Sequence, residues 1–362
     1  SGQTPAEGGS SLGGGGGGGG GPSDGSTALG GTDLGNLGGG HGGEGASSYG
    51  SGSGGGGGGG GSGLGGAIFV DSNLNLTIQA FSGVPTTFNT NNNITQAGVG
   101  GTGGPGALNG SVGSALGNSI FLRSGSSLTL IANDANDLLT LGSQVAFTDD
   151  TSFGLGGTSV FVRGNGTVVY NGTTDYSGTI TINNANLKVN GQIDGASVSV
   201  CRNIGFSTQR GTLSGSGILT GNVSVNSGTI SPDTAQTLTL GSLSLNGPSG
   251  GAIGSLVHIE IDSTSTPSVI DVSGPATLAG ALEFDLDPNL LPGTYKFLLS
   301  SAVSGTFDPV TFTGPTPNYS LTYDPQFVQL NFLGFISIEP PSNLKGKQKK
   351  NDFGLEYEFY NQ

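Results

Sequence analysis

The chain has 362 residues, 75 of them glycine; only 9% are charged, and methionine and tryptophan are absent. Ten basic residues face 24 acidic ones, a formal net charge of -14, and four of the ten are Lys345, Lys347, Lys349 and Lys350. No basic stripe is left to displace counterions from nucleic-acid phosphates or to dock on an anionic membrane. An ion-rich helical surface is excluded too, since ordinary domains carry about 25% charge.

Length alone suggests two to three structural units. No apolar run reaches the ~18 residues of a spanning helix, and no basic-then-apolar leader pattern opens the chain. The chain begins on Ser1 and is read as a processed product or a fragment. A single Cys201 allows neither an internal disulfide nor a cysteine metal cluster.

Residues 1–64 form the first unit. Ser1 to Gly66 holds 35 of the 75 glycines, with unbroken runs at Gly13–Gly21 and Gly54–Gly61. Glycine has the most backbone entropy to lose and no side chain to bury, so this unit is expected to be a disordered linker or excursion loop. A phosphate-cradling loop would need a Lys-Ser/Thr pair or a strand–loop–helix context, and neither is present.

Residues 65–335 form the second unit. Short alternating apolar runs recur, such as Leu74–Ile78, Leu128–Ile131, Val160–Val162, Ile180–Ile182, Leu187–Val189, Val198–Val200 and Val223–Val225. Gly, Asn, Asp and Ser break them, residues that favour turns. Period-two alternation with β-branched residues predicts strands, and no window sustains a helical period. An antiparallel sandwich has strands of about five or six residues; these runs are shorter and turn at Gly and Asn corners. The expected fold is therefore all-β, a right-handed parallel β-helix. Its inward Ile, Leu and Val would stack into a continuous core, in roughly ten to thirteen coils between Gly66 and Phe332.

The order of motifs carries a resemblance. Gly65–Val70 (GGAIFV), Asn75–Ile78 (NLTI) and Phe88–Asn91 (FNTN) resemble the GGA[I/L/V] plus FxxN repeat of chlamydial-type polymorphic outer-membrane proteins. Gly178–Gly191 and Gly211–Pro232 resemble autotransporter-associated β-strand repeats. Gly280–Phe284, Pro292–Leu299 and Ser304–Asp308 resemble the last coils of an autotransporter passenger domain. The resemblance implies a non-catalytic β-helix exposed at the bacterial outer membrane or cell surface, or secreted, serving adhesion or surface coating. Its implied partner is a host-surface protein or glycan, with no cofactor and no metal. The chain departs from the pattern twice: the paired GGA[I/L/V] and FxxN motifs occur once, and no translocator barrel of eight or more strands is present in this sequence. Contact with the membrane would then run only through that missing barrel. Residues 336–362 form the third unit. Asn343–Lys350 resembles the linker before such a barrel; Leu355, Tyr357 and Phe359 alternate with Glu356 and Glu358. One strand cannot satisfy its backbone in lipid, so the tail is expected to be a frayed terminus.

Chemistry-bearing groups are few. In Leu256–Asp262 the alternation puts His258, Glu260 and Asp262 on one face. That trio could hold a metal, but a solvated strand face accounts for it equally well. His41 has only Glu44 near it. The G-x-S-x-G spellings at Gly21–Gly25 and Gly247–Gly251 are not followed by the helix a nucleophile elbow needs. The alternative function is a secreted β-helical enzyme acting on polysaccharides, a lyase or hydrolase, with Asp149 and Asp150 as carboxylates and Arg163 as the cation. Cys201 ends an alternating run and reads as a small packed thiol.

Overall fold

The computed structural model describes residues 56–90, 95–202, 210–248, 254–336, 344–351 and 354–361. Parallel pairing dominates. One long sheet stacks the strands Asn75–Gln79, Ser127–Ala132, Ser159–Gly164, Thr179–Asn183, Ser197–Cys201, Ile218–Asn226, Thr237–Leu245, Val269–Leu278 and Gly293–Gly305. A second stacks Thr86–Phe88, Leu138–Leu141, Thr167–Tyr170, Asn186–Val189, Thr212–Gly215, Thr229–Pro232, Leu256–Ile261, Ala281–Leu286 and Val310–Thr313. The two alternate along the chain, so each pair is one coil, and the described residues build nine coils of a parallel β-helix. A third side is made of short strands, from Ile68–Val70, Ile120–Leu122 and Phe147–Asp149 to Gln192–Asp194. From Ile218–Asn226 onward it fuses with the first sheet across bulges, at Leu219/Asn222, Leu240/Leu243 and Val272/Pro275.

Nine coils fall short of the expected ten to thirteen. The cause is insertion: Thr77 pairs with Thr129 and Thr129 with Phe161, whereas Ser159 and Thr179 are only 20 residues apart. A coil count from typical repeat lengths does not allow for such excursions.

Alternation explains the register. Leu128, Val160, Ile180, Val198, Val223 and Leu243 stack in one column, and all are at most 2% exposed. A one-residue slip would turn that column outward. Leu139, Val168, Leu187, Leu213 and Ile230 form the facing column. Outside, hydroxyls and amides ladder between coils: Ser159 with Thr179, Asn190 with Asn171, Ser242 with Asn222.

At the N-terminal end, residues 56–64 are packed, which moves the edge of the expected linker; residues 1–55 lie outside the described residues. Gly57, Gly60 and Gly63 donate to the carbonyls of Leu108, Ser111 and Ser114. Gly98 and Gly101 donate to Gly61 and Gly58, and Gly110 and Gly113 to Gly101 and Gly98. Three segments thus pack against one another with a repeat of three, the period of polyproline-II winding. A Cβ on Gly57, Gly60, Gly100 or Gly110 would sit within 2 Å of a backbone oxygen of a neighbouring segment, so glycine here is a packing requirement rather than a sign of slack.

At the C-terminal end the parallel pairing gives way to antiparallel pairing. Phe327–Phe335 pairs antiparallel with Gly293–Leu299, and Pro317–Asp324 pairs antiparallel with Phe327–Phe335. This hairpin covers the last parallel edge of the first sheet, where an unpaired strand would invite another chain. Beneath it Phe297 meets Phe284 at 5.2 Å between ring centroids. The expected frayed tail is replaced by an antiparallel hairpin of Leu344–Asn351 with Gly354–Asn361; pairing between the two strands satisfies backbone that one strand alone would leave open.

Candidate functional site

The outer surface of the second sheet carries an open trough of about 560 Å³. Its floor follows from register: Lys188, Ser214 and Ser231 pair in successive strands and face outward. Two small serines after a long lysine leave a depression about two strands, ~10 Å, wide. The turn after Thr229–Pro232 adds Asp233, Thr234 and Gln236 to the lining, and Glu260 of the seventh coil adds a carboxylate beside Thr234. Lys188 Nζ reaches Asp233 at 2.8 Å; the Ser214 hydroxyl donates to Asn186 Oδ1 at 2.8 Å; the Thr234 hydroxyl donates to Glu260. A second hollow of about 240 Å³ shares Thr234 and Glu260 and continues to Asp262, Asp285 and Asp287. The lining offers hydroxyl, amide and carboxylate groups, with one lysine already paired.

The structure sorts the sequence candidates. Asp149, 3% exposed, caps a short 3-10 helix, Asp150–Phe153, and accepts from Thr151 N and the Thr158 hydroxyl. Asp150 is fully buried and accepts from Ser124 N at 2.9 Å, while its Oδ1 has no partner. Burial pushes its carboxyl above the ordinary carboxylate range. Arg163 lies on the outer face of the first sheet, its guanidinium over the Phe161 ring at 4.6 Å. Five residues of strand separate it from Thr158, about 16 Å at the usual rise. The two aspartates and Arg163 therefore do not converge on one cleft; both carboxylates hold local backbone.

His258 and Glu260 do share the outer face of Leu256–Ile261, as the alternation predicts. His258 lies 3.3 Å from Glu283 and 3.7 Å from Glu260. Asp262 instead turns into the loop that follows, where Thr264 and Thr266 donate to it and hold its carboxyl below the usual range. Among the described residues no group of three or more His, Cys, Asp or Glu side chains is arranged to hold a metal. Cys201 is half-buried beside the Ser199 hydroxyl at 3.1 Å. His41 and Gly21–Gly25 lie outside the described residues, as does part of Gly247–Gly251.

The trough residues Lys188, Ser214, Ser231 and Gln236 were not singled out from sequence. Their signal was the outward alternation, but unequal coil lengths hide which outward residues become neighbours. No family model matches the chain, and no curated protein matches it.

Proposed function

We propose that this chain is a non-catalytic binding scaffold displayed at a bacterial surface, the passenger region of an autotransporter-like outer-membrane protein, acting in adhesion or surface coating. The observation that carries the reading is the solenoid of nine coils among the described residues, whose inward side chains are spent on a continuous core and whose long outer faces bear hydroxyl and amide ladders. Coils that contact only their neighbours make a long, rigid surface, and many weak contacts along such a surface add through avidity. The carboxylates with the most enzyme-like spacing, Asp149 and Asp150, are occupied in local structure, which favours binding over turnover.

The test is display. Beads coated with the purified chain are presented to epithelial cell monolayers and to abiotic plastic, against beads carrying a variant with coils four to six deleted. Retention on cells by the intact chain, and its loss on deletion, is the expected result. Equal retention of both bead types would overturn the adhesive reading.

A further inference from the structure

We propose that the trough on the second sheet is a subsite for a neutral oligosaccharide chain; this deepens the binding-scaffold reading and rests on it. Charge makes the first selection. Among the described residues lining the trough, Lys188 is the one base, and it is committed to Asp233 at 2.8 Å. Glu260 adds a further carboxylate, and Asp262, Asp285 and Asp287 follow in the adjoining hollow. A uronate or sulfated chain would be repelled here, and the net charge of -14 adds to that repulsion.

Chemistry makes the second selection. The Ser231 hydroxyl and the Gln236 amide donate and accept, the Asn186 amide keeps its NH2 as donor, and the Ser214 and Thr234 hydroxyls, whose protons go to Asn186 and Glu260, keep their lone pairs as acceptors. Such a set matches the vicinal hydroxyls of a sugar, which also do both. An apolar ligand would strip these groups of water without replacing their hydrogen bonds. Geometry makes the third. The trough crosses successive strands stacked ~4.8 Å apart, close to the length of one sugar unit. It opens at Glu260 into the second hollow, so a chain could run on along the solenoid axis. Among the described residues no aromatic side chain lines either hollow. Recognition therefore rests on hydrogen bonds, and affinity per site is expected near the millimolar range.

The experiment titrates the full chain with neutral hexasaccharides of glucose, mannose, xylose and N-acetylglucosamine, and with hexagalacturonate, by calorimetry and ligand-observed NMR. At least one neutral hexasaccharide binds, and hexagalacturonate does not. Asn186→Ala/Gln236→Ala weakens binding about tenfold, and Ser231→Tyr, which fills the floor, abolishes it. Thr181→Ala, on the outer face of the first sheet, leaves it unchanged. Circular dichroism confirms that the variants fold. Absence of binding by every neutral sugar, or equal binding by the Ser231→Tyr variant, overturns the subsite. If no neutral sugar binds while beads carrying the intact chain still adhere to cells, the subsite alone falls; if the intact beads fail to adhere as well, the scaffold reading falls with it.

Discussion

Replacing Gly60 by alanine tests the N-terminal bundle directly. The new Cβ would lie 1.9 Å from Gly98 O and 2.5 Å from Gly98 C. Both are backbone atoms, so one segment must retreat by about 1.5 Å to reach an ordinary contact. That movement breaks or stretches Gly60 N to Ser111 O and Gly98 N to Gly61 O, now 2.9 and 2.7 Å, with Gly101 N to Gly58 O beside them. Two to three hydrogen bonds at ~1 kcal/mol each are at stake. Alanine returns about 0.4–1 kcal/mol by restricting the unfolded chain, leaving a net local loss of roughly 1–2.5 kcal/mol. Amide hydrogen exchange reads it site by site. Protection at Gly57, Gly63, Gly98, Gly101, Gly110 and Gly113 falls roughly 5- to 60-fold, while Val160, Ile180 and Val198 keep theirs, because coils couple only to neighbours. The control Val99→Ala, at a residue 81% exposed, shifts stability by under about 0.5 kcal/mol. Unchanged protection in Gly60→Ala would refute the packed bundle.

Three other perturbations have definite signs. Asp150 has a folded pKa above its unfolded one, so its ionisation weakens the fold as pH rises from the ordinary value of 3.8 through the raised one; Asp150→Asn is expected to raise the melting temperature at neutral pH, with the gain shrinking below about pH 4, and a gain that grows on acidification would contradict this. Phe284→Ala empties the contact among Phe284, Phe297 and Phe312 and costs about 3–5 kcal/mol, seen as a lowered denaturant midpoint for the last coils. Lys188→Ala removes a part-exposed ion pair with Asp233, and stability by chemical denaturation changes by less than about 1 kcal/mol.

Much of the architecture was legible because one signal is local. Leu187, Lys188 and Val189 alternate, and so do Val198, Ser199 and Val200; each run declares its buried face without knowledge of its partner. What stayed hidden depends on long-range register. Ser214 neighbours Lys188 only because the chain between them closes one coil, and nothing local marks that closure. The glycine run at 56–61 reads as slack in isolation. It becomes structure because Leu108 and Ser111 accept from Gly57 and Gly60, and Gly98 and Gly101 donate to Gly61 and Gly58, at the same period of three, a match visible only when distant segments are aligned. The Asp149–Asp150 pair, for which a corner carboxylate pair is the plainer sequence reading, shows the opposite limit. Adjacent carboxylates look like acid–base chemistry in a sequence, whereas here one caps a turn and the other takes a backbone amide.

The central claim is that this solenoid holds a glycan without altering it. A neutral polysaccharide that binds the purified chain is incubated with it for several days, and the sugar is then sized by chromatography and assayed for new reducing ends and unsaturated termini. Binding that persists with the polysaccharide unchanged in length is the predicted result. Shortened chains or newly formed ends, lost together with binding in the Ser231→Tyr variant, would show a catalyst where the account places a passive surface.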